Sequence, residues 1–287
     1  MLPDTHRIIA DTSPLTDSSR MIGATLAGFE RAPAWLRAAR RARLGAALVA
    51  GLLVLLPMRL LTRRAAPDRP SWSGVAFLRL LLWGLRIRVT VEGALAPRAL
   101  VVANHLSWTD ILVLGASRPT AFVAKSEVRG WPLLGLLAHL HGTVFVERGG
   151  RGAAAMQVTA LTRALERGPT VLFPEGTTGN GSGVLPFHST LFAAATTAGV
   201  QPLTIIYRPR DRDWQPNEQA AFAWDGDKAF WPHLLQISAA GPVDCRVIAH
   251  PPLSGGQHDR KALAKRCRAI IESALPAVDQ KPEADTR

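Results

Sequence analysis

The chain has 287 residues, enough for one domain of about 200 residues with a full hydrophobic core, plus appendages. Lysine and arginine outnumber aspartate and glutamate by 34 to 22, and nearly all the cations are arginine, a balance suited to phosphate-rich partners: nucleic acid, anionic lipid or a phosphate-bearing substrate. Two cysteines, Cys245 and Cys267, stand apart with no CxxC or metal spacing, which argues against a disulfide framework or a zinc site and for a reducing, cytosolic setting.

Residues 1–30 start Met-Leu-Pro-Asp-Thr-His and run on through serine, threonine and aspartate, without the apolar core of a secretory signal, so a disordered tail is expected there. A second tail is expected over 276–287. Residues 44–58 form an uncharged apolar run that as a helix spans roughly 22 Å, short of the about 30 Å of a bilayer core unless Leu60 and Leu61 are added and Arg59 snorkels. Arg37, Arg40, Arg41 and Arg43 precede the run, and Arg59, Arg63, Arg64 and Arg69 follow it. With both flanks equally basic the positive-inside rule gives no orientation, and the symmetry suits a segment that dips in and returns to one face. Trp35 and Trp72 are candidate interface anchors. In the next apolar stretch, 71–86, Arg79 and Arg86 are seven apart and share one helix face, an amphipathic membrane-surface pattern. Ordinary core helices are the alternative; Pro57 and the dense arginines fit a core poorly. Residues 31–86 are therefore expected to be membrane-associated helices.

From residue 87 short β-branched runs alternate with helical patterns. Strands are predicted at 87–92, 99–103, 120–124, 143–147, 170–173, 202–207 and 246–249, and helices at about 109–116, 131–139, 152–167, 187–198, 228–236 and 258–274. The fold class is α/β, a mixed central sheet flanked by helices, with the membrane-associated helical segment at its N-terminus. No GxGxxG or GxxxxGK[ST] occurs, and no RNA- or DNA-binding motif is visible. Four strand ends carry polar, turn-rich sequence: Asn104-His105-x4-Asp110, Lys125-Ser126-Glu127, Glu147-Arg148, and Pro174-Glu175-Gly176-Thr177-Thr178. In an open α/β sheet ligands bind beyond the carboxyl ends of strands, so these ends together mark a candidate site. His105-x4-Asp110 taken alone also fits a capped turn with a bystander imidazole.

These blocks, with Trp131-Pro132, Gly135, Gly142 to Arg148 and Val200-Gln201-Pro202-Leu203, resemble in order and spacing the membrane glycerophospholipid acyltransferases of the lysophosphatidate acyltransferase type, over residues 90 to 250. The resemblance implies an acyltransferase domain over 87–275 that moves an acyl chain from a thioester to a lysolipid hydroxyl. It implies acyl-carrier protein or acyl-CoA as donor co-substrate, no cofactor or metal, membrane lipids as partners rather than nucleic acid, and a place on the cytosolic face of the inner membrane. His105 is then the general base, because a neutral imidazole suits removal of the hydroxyl proton near pH 7, and Asp110 is the carboxylate that orients it. Direct attack by the acceptor needs no acyl-enzyme, so Ser107 is expected to cap a helix rather than act as nucleophile. The resemblance assigns Arg148 to an anionic acceptor group and Glu175 and Gly176, with Thr177, to the acceptor pocket. Lys125 is a candidate for steadying a phosphate or a carbonyl, and Asn104 for bridging the turn. His139, His141, His188 and His250 match no catalytic block.

One position departs from the pattern. Lysophosphatidate acyltransferases commonly follow Glu-Gly-Thr with an arginine suited to a phosphate monoester, and here the residue is Thr178. Glu-Gly-Thr-Thr, the 186–192 run and Trp224-Asp225-Gly226-Asp227 resemble the bacterial lyso-ornithine lipid O-acyltransferases, whose acceptor is an aminolipid without phosphate. A lysophosphatidate acceptor is the alternative, since Arg148 is present. A protein of another class, binding anionic lipid or nucleic acid without catalysis, would need no His105, Asp110 or Glu175.

Overall fold

The computed structural model describes residues 32–55, 57, 58, 61, 71–131, 135, 138, 142–146, 152–195, 198–211, 216–226, 228–256 and 259–276. The tails expected over 1–30 and 276–287 lie outside those residues, Pro276 excepted. Seven strands form one sheet: β1 (Ile87–Glu92), β2 (Leu100–Ala103), β3 (Ala121–Lys125), β4 (Val144–Val146), β5 (Thr170–Leu172), β6 (Val200–Pro209) and β7 (Val243–Ala249). Their spatial order is β1-β7-β6-β2-β5-β3-β4. Only the β6–β7 pair is antiparallel, so the sheet is mixed, as expected.

β2 sits at the centre, and its four residues are buried on both faces. Val101 and Ala103 enter a core covered by helices α2 (Trp72–Leu85), α3 (Thr109–Ser117) and α5 (Phe230–Ala239). Leu100 and Val102 enter a second core on the other face, under α4 (Ala153–Arg167), α6 (Arg260–Ser273) and a 3-10 segment, Thr190–Ala195. This period-2 division is what a buried parallel strand requires, and each full burial of such a side chain contributes roughly 1.5–3 kcal/mol. From β2 the chain passes through α3 to β3 and β4, returns to β5 on one flank of β2, then crosses to β6 on the other. The carboxyl end of β2 is thus a topological switch point, where loops diverge and leave a crevice.

Observed boundaries lie within three residues of the predicted ones, the helix expected over 187–198 excepted. β6 begins at Val200, before Pro202; the proline fits because antiparallel pairing with β7 starts at Leu203, while its carbonyl accepts from His250 N at 3.1 Å. The helix expected over 187–198 is only the Thr190–Ala195 turn, because His188 N is drawn to the Pro174 carbonyl (2.8 Å) and Gly199 at φ 73° turns the chain into β6. Of the helix expected over 131–139, only Trp131, Gly135 and Ala138 are described.

Ahead of the sheet, α1 (Ala34–Ala50) runs into a π-helical turn, Gly51–Leu55, and packs on α2. The two helices approach closely because Gly84 of α2 meets α1: a Cβ there would lie 3.0 Å from Ala47 Cβ and 3.2 Å from Leu44 Cα. Apolar side chains are exposed at Trp35 of α1, Leu53 and Val54 of the turn, Met58 and Leu61 beyond it, and Trp72 of α2. Among the described residues no helix is long and apolar enough to cross a membrane. Replacing Gly84 by valine is expected to force α1 from α2 and destabilise the fold by about 1–3 kcal/mol, read as a lower midpoint in urea unfolding.

Candidate active site

The turn after β2 is held from three sides. Asn104 continues the β2–β6 ladder with its side chain: Nδ2 donates to Ile205 O (3.0 Å), and Ile205 N donates to Oδ1 (2.8 Å). His105 N donates to Glu175 Oε1 at 2.7 Å, and His105 O accepts from Gly179 N at 2.8 Å, so the loop after β5 grips both main-chain groups of this residue. Trp224 N donates to Leu106 O at 2.9 Å. Gly176, at φ 69°, supplies the left-handed turn that brings the β5 loop back towards β2.

Asp110, in the first turn of α3, is fully buried and reaches back to this turn. Its Oδ2 accepts from His105 Nδ1 (2.9 Å), Leu106 N (2.7 Å) and Ser107 N (2.8 Å), and its Oδ1 accepts from the Tyr207 hydroxyl (2.7 Å). Four donors converge on one carboxylate, which is what keeping an anion out of water demands. Tyr207 in turn accepts from Thr109 Oγ1 at 2.9 Å, and burial followed by the Asp110 charge holds its phenol well above the usual range, so it stays a neutral donor. The His105 ring stacks on Phe173, centroids 3.9 Å apart and 14° from coplanar. With Nδ1 on Asp110 and one face on Phe173, Nε2 is the nitrogen left for a reactant.

Glu175 is 4 % exposed, and its two oxygens accept from His105 N and from Leu185 N (2.8 Å). Burial pushes its carboxyl up to about 7, against the lowering pull of those two N–H donors. A second imidazole lies behind the motif: Trp108 Nε1 donates to His233 Nδ1 at 2.9 Å, and burial pushes His233 down to about 4. It is thereby a neutral acceptor that fixes Trp108.

The sequence-predicted residues divide accordingly. Asn104, His105, Asp110, Glu175, Gly176 and Thr178 meet in the β2 and β5 loops. Thr178 Oγ1 donates to Trp224 O, which joins the Glu-Gly-Thr-Thr block to the Trp-x-Gly-Asp loop and sets that loop over the His105 turn. Thr177 is exposed in the same loop, and Lys125 ends β3 at the same sheet edge, two strands from β2. Arg148, Glu147, His139 and His141 lie outside the described residues. Ser107 is fully buried, with Thr109 N directed at its Oγ at 3.5 Å, in keeping with a place in the turn rather than an open nucleophile. His250 bonds Thr204 Oγ1 at 2.8 Å, away from the motif. Sequence reasoning missed Tyr207, Phe173 and His233 as parts of the site. Tyr207 is the only tyrosine of the chain, a signal that β6 pairing alone makes readable. Among the described residues no group of three or more His, Cys, Asp and Glu is placed to hold a metal ion.

Residues 86–208 match the family model described as Acyltransferase. The chain is 38 % identical over 248 residues to the lyso-ornithine lipid O-acyltransferase of Brucella abortus, covering 80 % of this chain and 93 % of the relative. It is 42 % identical over 204 residues to the protein of the same name from Pseudomonas aeruginosa, covering 69 % and 76 %. It is also 38 % identical over 181 residues to the 1-acyl-sn-glycerol-3-phosphate acyltransferase of Neisseria meningitidis, covering 62 % and 68 %. In fold it resembles the crystal structure of the 1-acyl-sn-glycerophosphate acyltransferase of Thermotoga maritima, with a TM-score of 0.54 and 19 % identity over 83 % of this chain and 96 % of that one.

Two measurements test this geometry. Tyr207→Phe removes the donor to Asp110 Oδ1 and the acceptor of Thr109, and is expected to lower the unfolding free energy by about 1–3 kcal/mol in urea titration. Glu175 binds its proton more tightly folded, at about 7, than unfolded, so its contribution to stability is full below pH 4.5 and is lost as pH rises to about 7. The stability of the parent relative to Glu175→Gln is therefore expected to fall by about 3 kcal/mol between pH 4.5 and 8.

Proposed function

This chain belongs to the acyltransferase family, and from that premise we propose that it moves a fatty acyl chain from an acyl-carrier-protein or CoA thioester to the hydroxyl of lyso-ornithine lipid. The observation that carries the reading is the His105–Asp110 pair, 2.9 Å apart from Nδ1 to Oδ2 and held in position by the β2 and β5 loops. The acceptor hydroxyl meets His105 Nε2. Its proton passes to the imidazole as its oxygen bonds to the thioester carbonyl carbon, and the Asp110 carboxylate stabilises the imidazolium. The carbon–sulfur bond then breaks, and the thiol leaves with the proton that the imidazolium returns. The electrons and protons of this exchange balance between thioester, alcohol and imidazole, so the donor is the one co-substrate.

Asn104 and Glu175 act by fixing the His105 turn. Gly176 and Thr177 shape the acceptor pocket beside it, Lys125 steadies the donor carbonyl or a phosphate, and Arg148 contacts an anionic acceptor group. Thr178 supports the lyso-ornithine acceptor: where a guanidinium would reach a phosphate monoester, this side chain holds the Trp224 loop. Lysophosphatidate is the second reading, supported by the Neisseria meningitidis relative. The exposed apolar side chains of the N-terminal helical segment, flanked by arginine, support a place on the cytosolic face of the inner membrane, whose anionic lipids attract such cations.

Purified protein given an acyl-carrier-protein or CoA thioester with each lysolipid in turn is expected to release thiol fastest with lyso-ornithine lipid. Clear preference for lysophosphatidate would overturn the acceptor assignment. In the same assay His105→Ala is expected to lower kcat by about 10²–10⁴-fold with KM little changed, and undiminished transfer would overturn the mechanism.

A further inference from the structure

On the α2 side of β1 and away from the His105 turn, a cavity of about 650 Å³ opens between α1, α2, β1 and the end of β6. Arg43 of α1, Arg79 of α2, Arg86 at the C-cap of α2, Arg88 of β1 and Arg210 after β6 all line it. Chain segments distant in sequence thus bring five guanidinium groups to one hollow, where mutual repulsion opposes folding unless an anion compensates it.

Asp244 takes Arg210 at 2.8 Å and Arg88 at 3.8 Å. Arg79 is anchored at Nε on the Ala116 carbonyl (2.8 Å), which among the described residues leaves its two terminal nitrogens for a ligand. The Arg43 guanidinium lies 3.8 Å over the Trp83 ring, and its Nε is buried without a hydrogen-bond partner among the described residues. Next to them, burial and then the Arg86 charge hold Arg40 below its usual value, with Asp211 pulling the other way. Arg86 itself sits at φ 61°, a left-handed conformation uncommon outside glycine, at the corner where α2 passes into β1.

The occupant's chemistry follows from these walls. Several planar guanidiniums around one hollow match the oxygens of a phosphate ester. The volume exceeds a bare phosphate and suits a whole headgroup. Trp83 and Val91, both exposed apolar side chains, line the cavity, so a phosphate held here has apolar surface beside it for attached acyl chains. We propose that this arginine-lined cavity binds the phosphate of an anionic bilayer phospholipid and seats the N-terminal helices on the membrane. The site rests on the membrane-surface part of the functional reading and not on the transfer chemistry.

Flotation of the full chain with vesicles of phosphatidylcholine alone, or of phosphatidylcholine with phosphatidylglycerol, tests it. The parent is expected to float with the anionic vesicles, and Arg43→Gln/Arg88→Gln to bind them about 25-fold more weakly, at ~5-fold per guanidinium. Arg88→Gln alone, at a side chain 65 % exposed and so harmless to the fold, is expected to show about 5-fold. Lys261→Gln/Lys265→Gln on α6, across the sheet, removes the same net charge and is expected to leave binding unchanged. Equal binding by parent and arginine variants, or equal losses in both double variants, would overturn the proposal while leaving membrane association standing. Failure of the parent to float would sink membrane association and the proposal together. Glycerol phosphate that binds the free protein with the same arginine dependence and strips it from vesicles would overturn the lipid occupant in favour of a soluble phosphate ester.

Discussion

Everything at this site depends on keeping one carboxylate, that of Asp110, out of water. Burying it without partners would cost several kcal/mol, and the surrounding structure is arranged so that four donors meet it: an imidazole, two main-chain N–H groups and a phenol. Each donor comes from a part of the fold that must be placed for its own reasons. The main-chain donors belong to the turn leaving β2, the phenol to β6, and the imidazole to the residue that the β5 loop grips. The charge that orients His105 therefore also ties three neighbouring strands at their shared edge.

That dependence explains the position of the site in the sheet. β2 is the central strand, and β5 and β6 flank it after the chain has changed direction across the sheet. The grip of Glu175 and Gly179 on His105 requires β5 on one side, and the Tyr207 and Asn104 bonds require β6 on the other. An edge strand would supply only half of this support. Glu175 makes the arrangement costly as well as firm, because a carboxyl that burial pushes up to about 7 ionises against its surroundings near neutral pH.

How much of this could be read beforehand follows from sequence separation. The pairing of His105 with Asp110 followed from the family resemblance of the motif blocks, since their spacing alone also fits a capped turn with a bystander imidazole, and the strand pattern implied a mixed sheet with boundaries shifted by a few residues. Tyr207 lies 97 residues from Asp110 and looks like any inward residue of a buried strand; only the neighbourhood of β6 and β2, which no period-2 pattern specifies, gives it a role. Glu175 and Thr178 stood out as motif positions, but their partners, the His105 main chain and the Trp224 carbonyl, are backbone groups without a sequence signature. The helix expected over 187–198 failed for a related reason: its apolar content was helical, while the Pro174–His188 bond, a long-range contact, bent its start away. Similarly, Arg79 and Arg86 were expected on one helix face, but Arg86 caps α2 in a left-handed conformation, and the arrival of Arg43, Arg88 and Arg210 beside them was not legible.

The central claim is that the β2 turn presents one imidazole with its Nδ1 proton on Asp110 and its Nε2 lone pair open to a hydroxyl. Nitrogen-15 NMR of histidine-labelled protein reads that tautomer directly, with His105 assigned by its absence from the His105→Ala spectrum. The expected result is a neutral ring protonated at Nδ1 and bare at Nε2; a neutral ring protonated at Nε2 with a bare Nδ1 facing Asp110 would contradict it.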